Sequence, residues 1–323
     1  MSPPIRALPN FFVVGAPKAG TTSLYHYLDQ HPQIYMSPIK EPCYFASEVR
    51  PENISEEFQQ QISREMSALQ EYLDSPMCAK RFGGLALEWE HYLRLFQNVK
   101  TEKAIGEASV CYLWSKTAAG NIFSRIPGAK IIMILRNPAE RAFSQYLHAV
   151  TNGLVRKSFR EQLQASLRRD SDKFDVLYPF LEFGQYYEQV KRYLELFPRE
   201  NVRIYFFEEY QKQPSRTLVD VFCFLNVDSS FTPDTSQRHL EPLVPRSIAI
   251  SYLLKRYGVW QRVKELSPRA LRSVLRALAF RRRKSLVMDP EDRAYLIDYY
   301  EEDMRNLANL LDRDLRDWLH WKE

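Results

Sequence analysis

The chain has 323 residues, a formal net charge of +5 and a hydrophobic content of 45%. This composition excludes a disordered chain and predicts one domain over residues 1–323 with a sizeable core. No apolar run reaches about 18 residues, so no membrane-spanning helix is expected. The first residues lack the apolar stretch of a signal peptide, which predicts a cytoplasmic location. The four cysteines show no Cys-x-x-Cys spacing, so we expect reduced thiols and no metal site.

The predicted elements alternate between strands and helices along the chain. Strands separated by helices indicate a parallel sheet that is covered on both faces. We therefore expect an α/β fold with a P-loop-type central parallel β-sheet flanked by helices. Ligands of such folds bind at the carboxyl ends of the strands. The predicted strands are 11–14, 130–135 and 201–207, and the predicted helices are 21–30, 56–73, 87–96, 138–151, 158–169, 184–197 and 214–225.

The loop after the first strand has the spacing of a phosphate-binding loop. The apolar strand runs into Gly15, Gly20 follows in Gly-x-x-x-x-Gly register, and Thr21 opens the next helix. Such a loop directs backbone N–H groups and the positive end of the helix dipole at an anion. The predicted anion-binding residues are Pro17, Lys18, Ala19, Gly20, Thr21, Thr22 and Ser23.

The position of the lysine distinguishes this loop from an ordinary nucleotide-binding P-loop. In the ordinary loop a lysine follows the second glycine directly, and the next hydroxyl residue holds Mg²⁺. Here Thr21 takes that position, and the lysine is Lys18 within the loop. The strand at 130–135 ends in Arg136 and not in a metal-binding aspartate. The pattern favours a second phosphate over a metal, and a P-loop small-molecule kinase is kept as an alternative.

Both motifs resemble those of the sulfotransferases that use 3′-phosphoadenosine 5′-phosphosulfate (PAPS), closest to the heparan sulfate and bacterial small-molecule branch. Residues 17–23 look like the 5′-phosphosulfate loop of that family, and residues 131–146 look like its 3′-phosphate motif. The resemblance covers about residues 10–225. It implies the sulfotransferase fold, PAPS as the co-substrate and a reaction that needs no metal.

The resemblance assigns the 3′-phosphate contacts to Arg136, Arg141 and Ser144. A guanidinium offers a phosphate two parallel donors, and a hydroxyl adds a third. The alternative for each of these residues is a structural role, with Arg136 at a strand end and Ser144 on a solvent-facing side of its helix. Arg246, within Pro245-Arg246-Ser247, is a further candidate for closing over the nucleotide.

The resemblance assigns the catalytic base to Glu41. Sulfuryl transfer needs a group that accepts the proton of the attacking hydroxyl, and a Lys-Glu pair carries this role in the heparan-type branch. Lys40 and Glu41 occupy that place here, and aromatic Tyr44 and Phe45 follow them as in that branch. Lys40 supplies positive charge and is a candidate for substrate binding. The alternative is a solvated ion pair on the surface.

Two histidines are alternative bases, and one lysine has a second predicted role. A histidine serves as the base in the other branch of the family, so His31 and His148 are the next candidates. Lys18 is also expected to stabilise charge on the bridging oxygen as the sulfuryl group leaves. The segment from Gly106 to Leu113 resembles the family's acceptor-lining segment, where Glu107 and Ser109 would either contact substrate or brace the loop.

The C-terminal third is strongly basic over residues 255–284, which hold eleven Lys or Arg residues and one acid. Apolar residues at helical spacing up to Leu278 predict a basic amphipathic helix within 250–285 that ends at 281–284. It is compatible with a peripheral contact to an anionic membrane, with binding of an anionic acceptor or the nucleotide, or with a docked helix whose basic face is solvated. A last helix over 290–318 is expected to pack on the core. No base-reading module is evident, so nucleic acid is not an expected partner.

These observations predict a PAPS-dependent sulfotransferase. The acceptor would be a hydroxyl, or less readily an amine, of a carbohydrate, lipid or natural product. Acceptor pockets of such enzymes are built from variable loops, here 49–106 and 151–181, so the sequence leaves the acceptor open, and it also leaves the oligomeric state open. A non-catalytic nucleotide-binding or membrane-binding protein is the second alternative.

Overall fold

The structure is a computed structural model that describes most of the chain. The described residues are 7–169, 173–175, 178–236, 243–245, 247, 248, 252, 280–282 and 287–319. Arg246 and most of the basic segment 255–284 lie outside the described residues. Among the described residues, no helix combines the length and the apolar character needed to cross a membrane.

The centre of the fold is a parallel sheet of five strands. Its strands are β1 (Phe11–Gly15), β2 (Ile34–Met36), β5 (Ala104–Ala108), β6 (Lys130–Leu135) and β7 (Val202–Phe206), and the pair β3 (Ile39–Lys40) and β4 (Arg81–Phe82) forms a separate small sheet. The order of the large sheet is β2-β5-β1-β6-β7, so β1 lies in the middle with β5 and β6 on its two sides. This arrangement confirms the predicted α/β fold with a central parallel sheet.

The central strands are buried along nearly their whole length. All residues of β1 and β5 are buried, as are all residues of β6 after its first. Such continuous burial is typical of a parallel strand covered on both faces. The packing between β1 and β5 is close, because a Cβ atom on Gly106 would lie 2.2 Å from the ring of Phe11. Only glycine fits at this point of the sheet.

Helices flank the sheet close to the predicted positions. The helices at 138–151 and 214–225 begin and end as predicted, and the others differ by a few residues at their ends. The helices are α1 (Thr21–Leu28), α2 (Glu56–Asp74), α3 (Trp89–Arg94), α4 (Cys111–Trp114), α5 (Ala118–Arg125), α6 (Pro138–Thr151), α7 (Phe159–Leu167), α8 (Tyr186–Leu196), α9 (Phe207–Lys212), α10 (Pro214–Leu225), α11 (Pro290–Leu311) and α12 (Arg316–Leu319).

Two predictions on the C-terminal third are corrected. The helix predicted over 290–318 ends at Leu311, because Asp312 adopts a left-handed conformation with φ 49°, and α12 follows as a separate short helix. Residues 280–282 form strand β9 and pair antiparallel with β8 (Leu243–Pro245), so the basic helix does not continue through them. The apolar helical spacing ends at Leu278, and strand pairing supplies backbone hydrogen bonds beyond it. The last helix does pack on the core, where Leu296 and Met304 are fully buried.

The loops that follow β1, β5 and β6 meet at one edge of the sheet. Ala16 N donates to Ile134 O at 2.7 Å, which ties the loop after β1 to β6. Ser109 N donates to Val13 O at 3.1 Å, which ties the loop after β5 to β1. The carboxyl ends of the central strands therefore present the predicted motifs to a common region.

Candidate functional site

The loop between β1 and α1 is shaped to bind an anion through its backbone. Lys18 and Gly20 both have left-handed backbone conformations, with φ 66° and 89°. The first helical hydrogen bond of α1 runs from Leu24 N to Gly20 O, no side chain caps the helix, and its first turn contains no acidic residue. The N–H groups of the first turn are therefore left for a ligand, and the helix dipole favours a negative one.

Some side chains of the loop are buried in the core, and others are partly exposed to solvent. Ala19 and Thr21 are buried, whereas Pro17, Thr22 and Ser23 are partly exposed. A Cβ atom on Gly20 would lie 3.1 Å from the ring of Tyr210 and 3.3 Å from that of Phe207. The loop thus packs closely against α9, and this close contact is possible because Gly20 has no side chain.

Arg136 contacts this loop directly. It follows the last residue of β6, and its Nη1 donates to the carbonyl of Lys18 at 2.9 Å. The guanidinium also lies 4.6 Å from the centre of the Phe207 ring. Burial lowers the pKa of Arg136, while Glu140 and Glu208 nearby counter that effect. The structure therefore brings the two predicted anion motifs together, although 118 residues separate them along the chain.

Ser144 and Arg141 lie on α6, and both are buried. The Arg141 guanidinium donates to the carbonyl of Phe180 and to Oε1 of Gln145, the latter at 2.5 Å. These contacts connect α6 to the segment before α8. The buried Nε of Arg141 has no hydrogen-bond partner among the described residues, so the phosphate contact predicted for Arg141 stays a prediction.

Glu41 lies between β3 and the loop that follows β5. Its N–H donates to Ala108 O at 2.9 Å, and its Oε2 accepts a hydrogen bond from Val110 N at 2.8 Å. Its Oε1 forms an ion pair with Lys40. The Lys40 side chain is 4% exposed and that of Glu41 is 25% exposed. The carboxylate is therefore fixed by a buried cation and a backbone N–H, and part of it remains accessible to an acceptor hydroxyl.

Glu107 and Ser109 lie beneath Glu41 and are fully buried. The Glu107 carboxylate accepts hydrogen bonds from the hydroxyls of Tyr112 at 2.8 Å, Tyr92 at 3.0 Å and Ser109 at 2.8 Å. Burial raises the pKa of Glu107 to about 7, although these hydrogen bonds act to lower it. Of the two roles left open by the sequence, bracing of the loop agrees with this burial, whereas a direct substrate contact does not.

The two histidines considered as bases lie in different surroundings from Glu41. His31 is 1% exposed, its Nε2 lies 2.9 Å from Asp228 O, and its Nδ1 accepts from Gln33 N at 3.0 Å. Both of its ring nitrogens are therefore occupied within the protein. His148 is exposed on α6, and its Nε2 lies 3.0 Å from Asn152 Nδ2. Glu41 is thus the only one of the three that is anchored to the loops following β3 and β5.

A groove of about 360 Å³ is lined by residues between Arg50 and His91, and one of them, Arg50, contacts the segment that follows Glu41. The stretch leading to α3 forms one wall and is connected to that segment by a hydrogen bond from Ala86 N to Pro42 O at 3.0 Å. Arg50 lies at the groove as well, and its Nη2 donates to Tyr44 O at 3.0 Å. The groove lies within the variable stretch 49–106. It is lined by Arg50, Pro51, Glu52, Met66, Leu69, Gln70, Leu85, Leu87, Glu88 and His91.

Aromatic side chains are the part of the site that the sequence analysis missed. Phe207 and Tyr210 contact Gly20, and Tyr92 and Tyr112 support Glu107. Tyr112 lies within the segment 106–113, but no spacing in the sequence connects Phe207, Tyr210 or Tyr92 to the motifs, because tertiary packing alone brings them together. In the part of the chain that the structure describes, no group of three or more His, Cys, Asp or Glu side chains could hold a metal ion.

Comparison with known proteins agrees with this geometry. The family model described as "Sulfotransferase family" matches residues 9–232. Carbohydrate sulfotransferase 15 of Rattus norvegicus is 26% identical over 263 residues, which cover 69% of this chain and 44% of the relative. The human bifunctional heparan sulfate N-deacetylase/N-sulfotransferase 3 is 27% identical over 322 residues, covering 97% of this chain and 31% of the relative. The chain thus spans less than half the length of these curated relatives.

A solved structure is similar over nearly the whole chain. The crystal structure of a sulfotransferase from Alicyclobacillus acidocaldarius is 31% identical, with a TM-score of 0.70, and the match covers 97% of this chain and 100% of that chain. The predicted family is therefore confirmed by a family model and by an overall fold, and the chain belongs to the sulfotransferase family.

Proposed function

We propose that the chain transfers a sulfuryl group from PAPS to a hydroxyl group of an acceptor. The observation that carries this proposal is the hydrogen bond from Arg136 to the carbonyl of Lys18. It joins a backbone anion loop to a cation at the end of the neighbouring strand. PAPS carries a phosphosulfate at its 5′ position and a phosphate at its 3′ position, and it therefore matches a cleft with two anion sites.

Each anion site has a defined task in this proposal. The backbone N–H groups of residues 17–23 hold the 5′-phosphosulfate, and the α1 dipole adds to the attraction. Arg136 and the hydroxyl of Ser144 hold the 3′-phosphate. ADP and ATP lack that phosphate, so Arg136 provides the selection between the two nucleotide classes. Arg246 would join this site, and it stays a prediction because it lies outside the described residues.

The reaction proceeds as an in-line displacement at sulfur. The acceptor oxygen forms a bond to sulfur while the bond between sulfur and the bridging phosphate oxygen breaks. Glu41 takes the proton of the attacking hydroxyl, and 3′-phosphoadenosine 5′-phosphate (PAP) leaves. Lys18 stabilises the negative charge that develops on the bridging oxygen. The ion pair with Lys40 and the hydrogen bond from Val110 N support this role for Glu41, because together they fix the position of its carboxylate.

The acceptor is proposed to be a saccharide or another small alcohol, with an amine as the less favoured nucleophile. The names of two relatives specify carbohydrate and heparan sulfate as acceptors of those proteins. The groove within residues 49–106 combines apolar side chains with Arg50 and His91, and such a surface suits a partly apolar, partly polar molecule. A cytoplasmic location and a membrane contact through 255–284 stay predictions.

Calorimetric titration of PAP in the absence of Mg²⁺ tests the proposal. We expect micromolar binding that weakens about 10- to 100-fold in Arg136→Ala, since a charge-assisted hydrogen bond to phosphate contributes about 1.5–3 kcal/mol. Arg199→Ala is the matched control, because Arg199 is exposed at the amino end of β7, away from the loop. ADP should bind weakly to all three proteins. A preference for ADP with Mg²⁺ would reject PAPS and favour the kinase alternative.

A further inference from the structure

A buried polar cluster lies directly under the segment that carries Glu41. It consists of the Glu107 carboxylate and the hydroxyls of Tyr92, Ser109 and Tyr112, which all donate to it. All four residues are fully buried. Burial of a carboxylate costs desolvation free energy unless hydrogen-bond donors satisfy it. An apolar side chain would fill the same space without that cost, so the cluster is expected to have a function besides packing.

Two hydroxyls of the cluster have a second contact, and the third does not. Ser109 Oγ accepts a hydrogen bond from Cys43 N at 3.2 Å, and the Tyr112 hydroxyl accepts one from Phe45 N at 3.2 Å. Cys43 and Phe45 lie two and four residues after Glu41. Tyr92 donates to Glu107 without any hydrogen bond to this backbone among the described residues. Because a hydroxyl that donates to a carboxylate orients its lone pairs, Glu107 directs two of the hydroxyls toward the backbone N–H groups.

The backbone of this segment requires such support. Glu41 and Cys43 have left-handed conformations, with φ 70° and 56°, which residues other than glycine rarely adopt. Strained backbone of this kind persists only where its surroundings fix it in several places. Here the fixing contacts come from β5, the loop after it and α4. Ala108 O and Val110 N hold Glu41 itself, and Ser109 and Tyr112 hold the residues that follow.

We infer that Glu107 is a positioning residue for Glu41 and acts through the hydroxyls of Ser109 and Tyr112. The buried carboxylate fixes the two hydroxyls, the hydroxyls fix the backbone after Glu41, and that backbone sets the direction of the Glu41 carboxylate. This inference rests on the proposed function, in which Glu41 is the base. It adds a support that touches neither PAPS nor acceptor, and it assigns a function to a carboxylate that the reaction itself does not use.

The test compares three single-hydroxyl deletions that each remove one donor from Glu107. Ser109→Ala and Tyr112→Phe also remove a contact to the Glu41 segment, whereas Tyr92→Phe does not and is the matched control. Two readouts are needed: backbone hydrogen exchange of residues 41–45, and kcat and KM for PAP release from PAPS. The assay uses desulfated heparan sulfate, para-nitrophenol or water as the acceptor. Exchange in β7 reports whether each variant is folded.

We expect Ser109→Ala and Tyr112→Phe to speed exchange in residues 41–45 and to lower kcat about tenfold more than Tyr92→Phe, because small displacements of a reacting group are costly. The KM for PAPS should not change, since the phosphate loop is untouched. Equal kcat and equal exchange in all three variants would overturn the inference. Glu41→Gln separates the two proposals: if it retains wild-type turnover, the base assignment is wrong, whereas the exchange data still judge the support of the segment.

Discussion

The nucleotide side and the base side of the proposed site are built in opposite ways. The nucleotide side is a short continuous loop whose ligands are backbone N–H groups, completed by Arg136 from the next strand. The base side joins the segment after β3, the end of β5 and α3 by hydrogen bonds between side chains and backbone. The first depends on backbone conformation within one loop, and the second depends on a buried polar network.

This difference predicts different sensitivities on the two sides. For PAP binding, the loop should tolerate changes of the partly exposed side chains of Thr22 and Ser23 and fail when its backbone is disturbed. The base side should fail when single polar atoms are removed, because a buried group that loses its partner pays its full desolvation cost. Three sets of variants test this contrast, and they follow from the largest expected effect to the smallest.

The largest effect is expected from removing the proton acceptor. Glu41→Gln keeps the shape of the side chain but cannot accept a proton, so kcat should fall by about 10²- to 10⁴-fold. PAP affinity measured by calorimetry should stay at the wild-type value, because Glu41 lies outside the phosphate loop. Glu200→Gln is the control and should keep its turnover, because Glu200 is exposed at the amino end of β7, away from the site. Loss of PAP binding in Glu41→Gln would show that the two sides are not separable.

The second prediction concerns the pH dependence of stability. Burial raises the pKa of Glu107 from 4.5 to about 7. The contribution of protonated Glu107 to the free energy of unfolding is therefore complete below pH 4.5 and is lost as the pH rises through 7. A shift of this size is worth on the order of 3 kcal/mol. Urea denaturation from about pH 3 to about pH 7.5 should show that Glu107→Gln removes this decline relative to the wild type.

Glu48→Gln is the control of opposite sign for that experiment. Burial acts to raise the pKa of Glu48, but hydrogen bonds from Ser115, Thr117 and the backbone of Lys116 outweigh it and lower the pKa. Its contribution is therefore present above pH 4.5 and is lost as the pH falls below that value. If both variants changed the pH profile in the same direction, the Glu107 carboxylate would not be buried as described.

The smallest effect is expected from one methyl group added to the phosphate loop. In Gly20→Ala, the left-handed backbone costs about 1–2 kcal/mol and PAP affinity should fall about tenfold or more. Gly120→Ala is the matched control, because a Cβ atom there meets nothing within 4 Å and the residue lies in α5. That variant should gain about 0.5–1 kcal/mol of stability and bind PAP as the wild type does. Equal PAP affinity in both variants would show that the backbone of the loop does not hold the phosphate.

The C-terminal third shows where reading the sequence fails. Apolar spacing predicted one helix over 290–318, but Asp312 ends it with a left-handed residue that only the surrounding packing selects. The helical pattern before 281 did not reveal that residues 280–282 pair with β8 as a strand. Pairing between distant segments leaves no periodic signal in either of them, so local patterns could not predict it.

The sequence by itself determined the parallel α/β fold and predicted an anion-binding loop after β1, because buried strands, a glycine spacing and helix starts are each readable within a few residues. Glu41 was predicted as the base only through the resemblance to the sulfotransferases. Only the tertiary structure decided that Arg141 packs inward, that Phe207 lies between Gly20 and Arg136, and that Glu107 supports the segment after Glu41. Those assignments depend on which polar groups share a buried volume, and packing of the whole chain decides that.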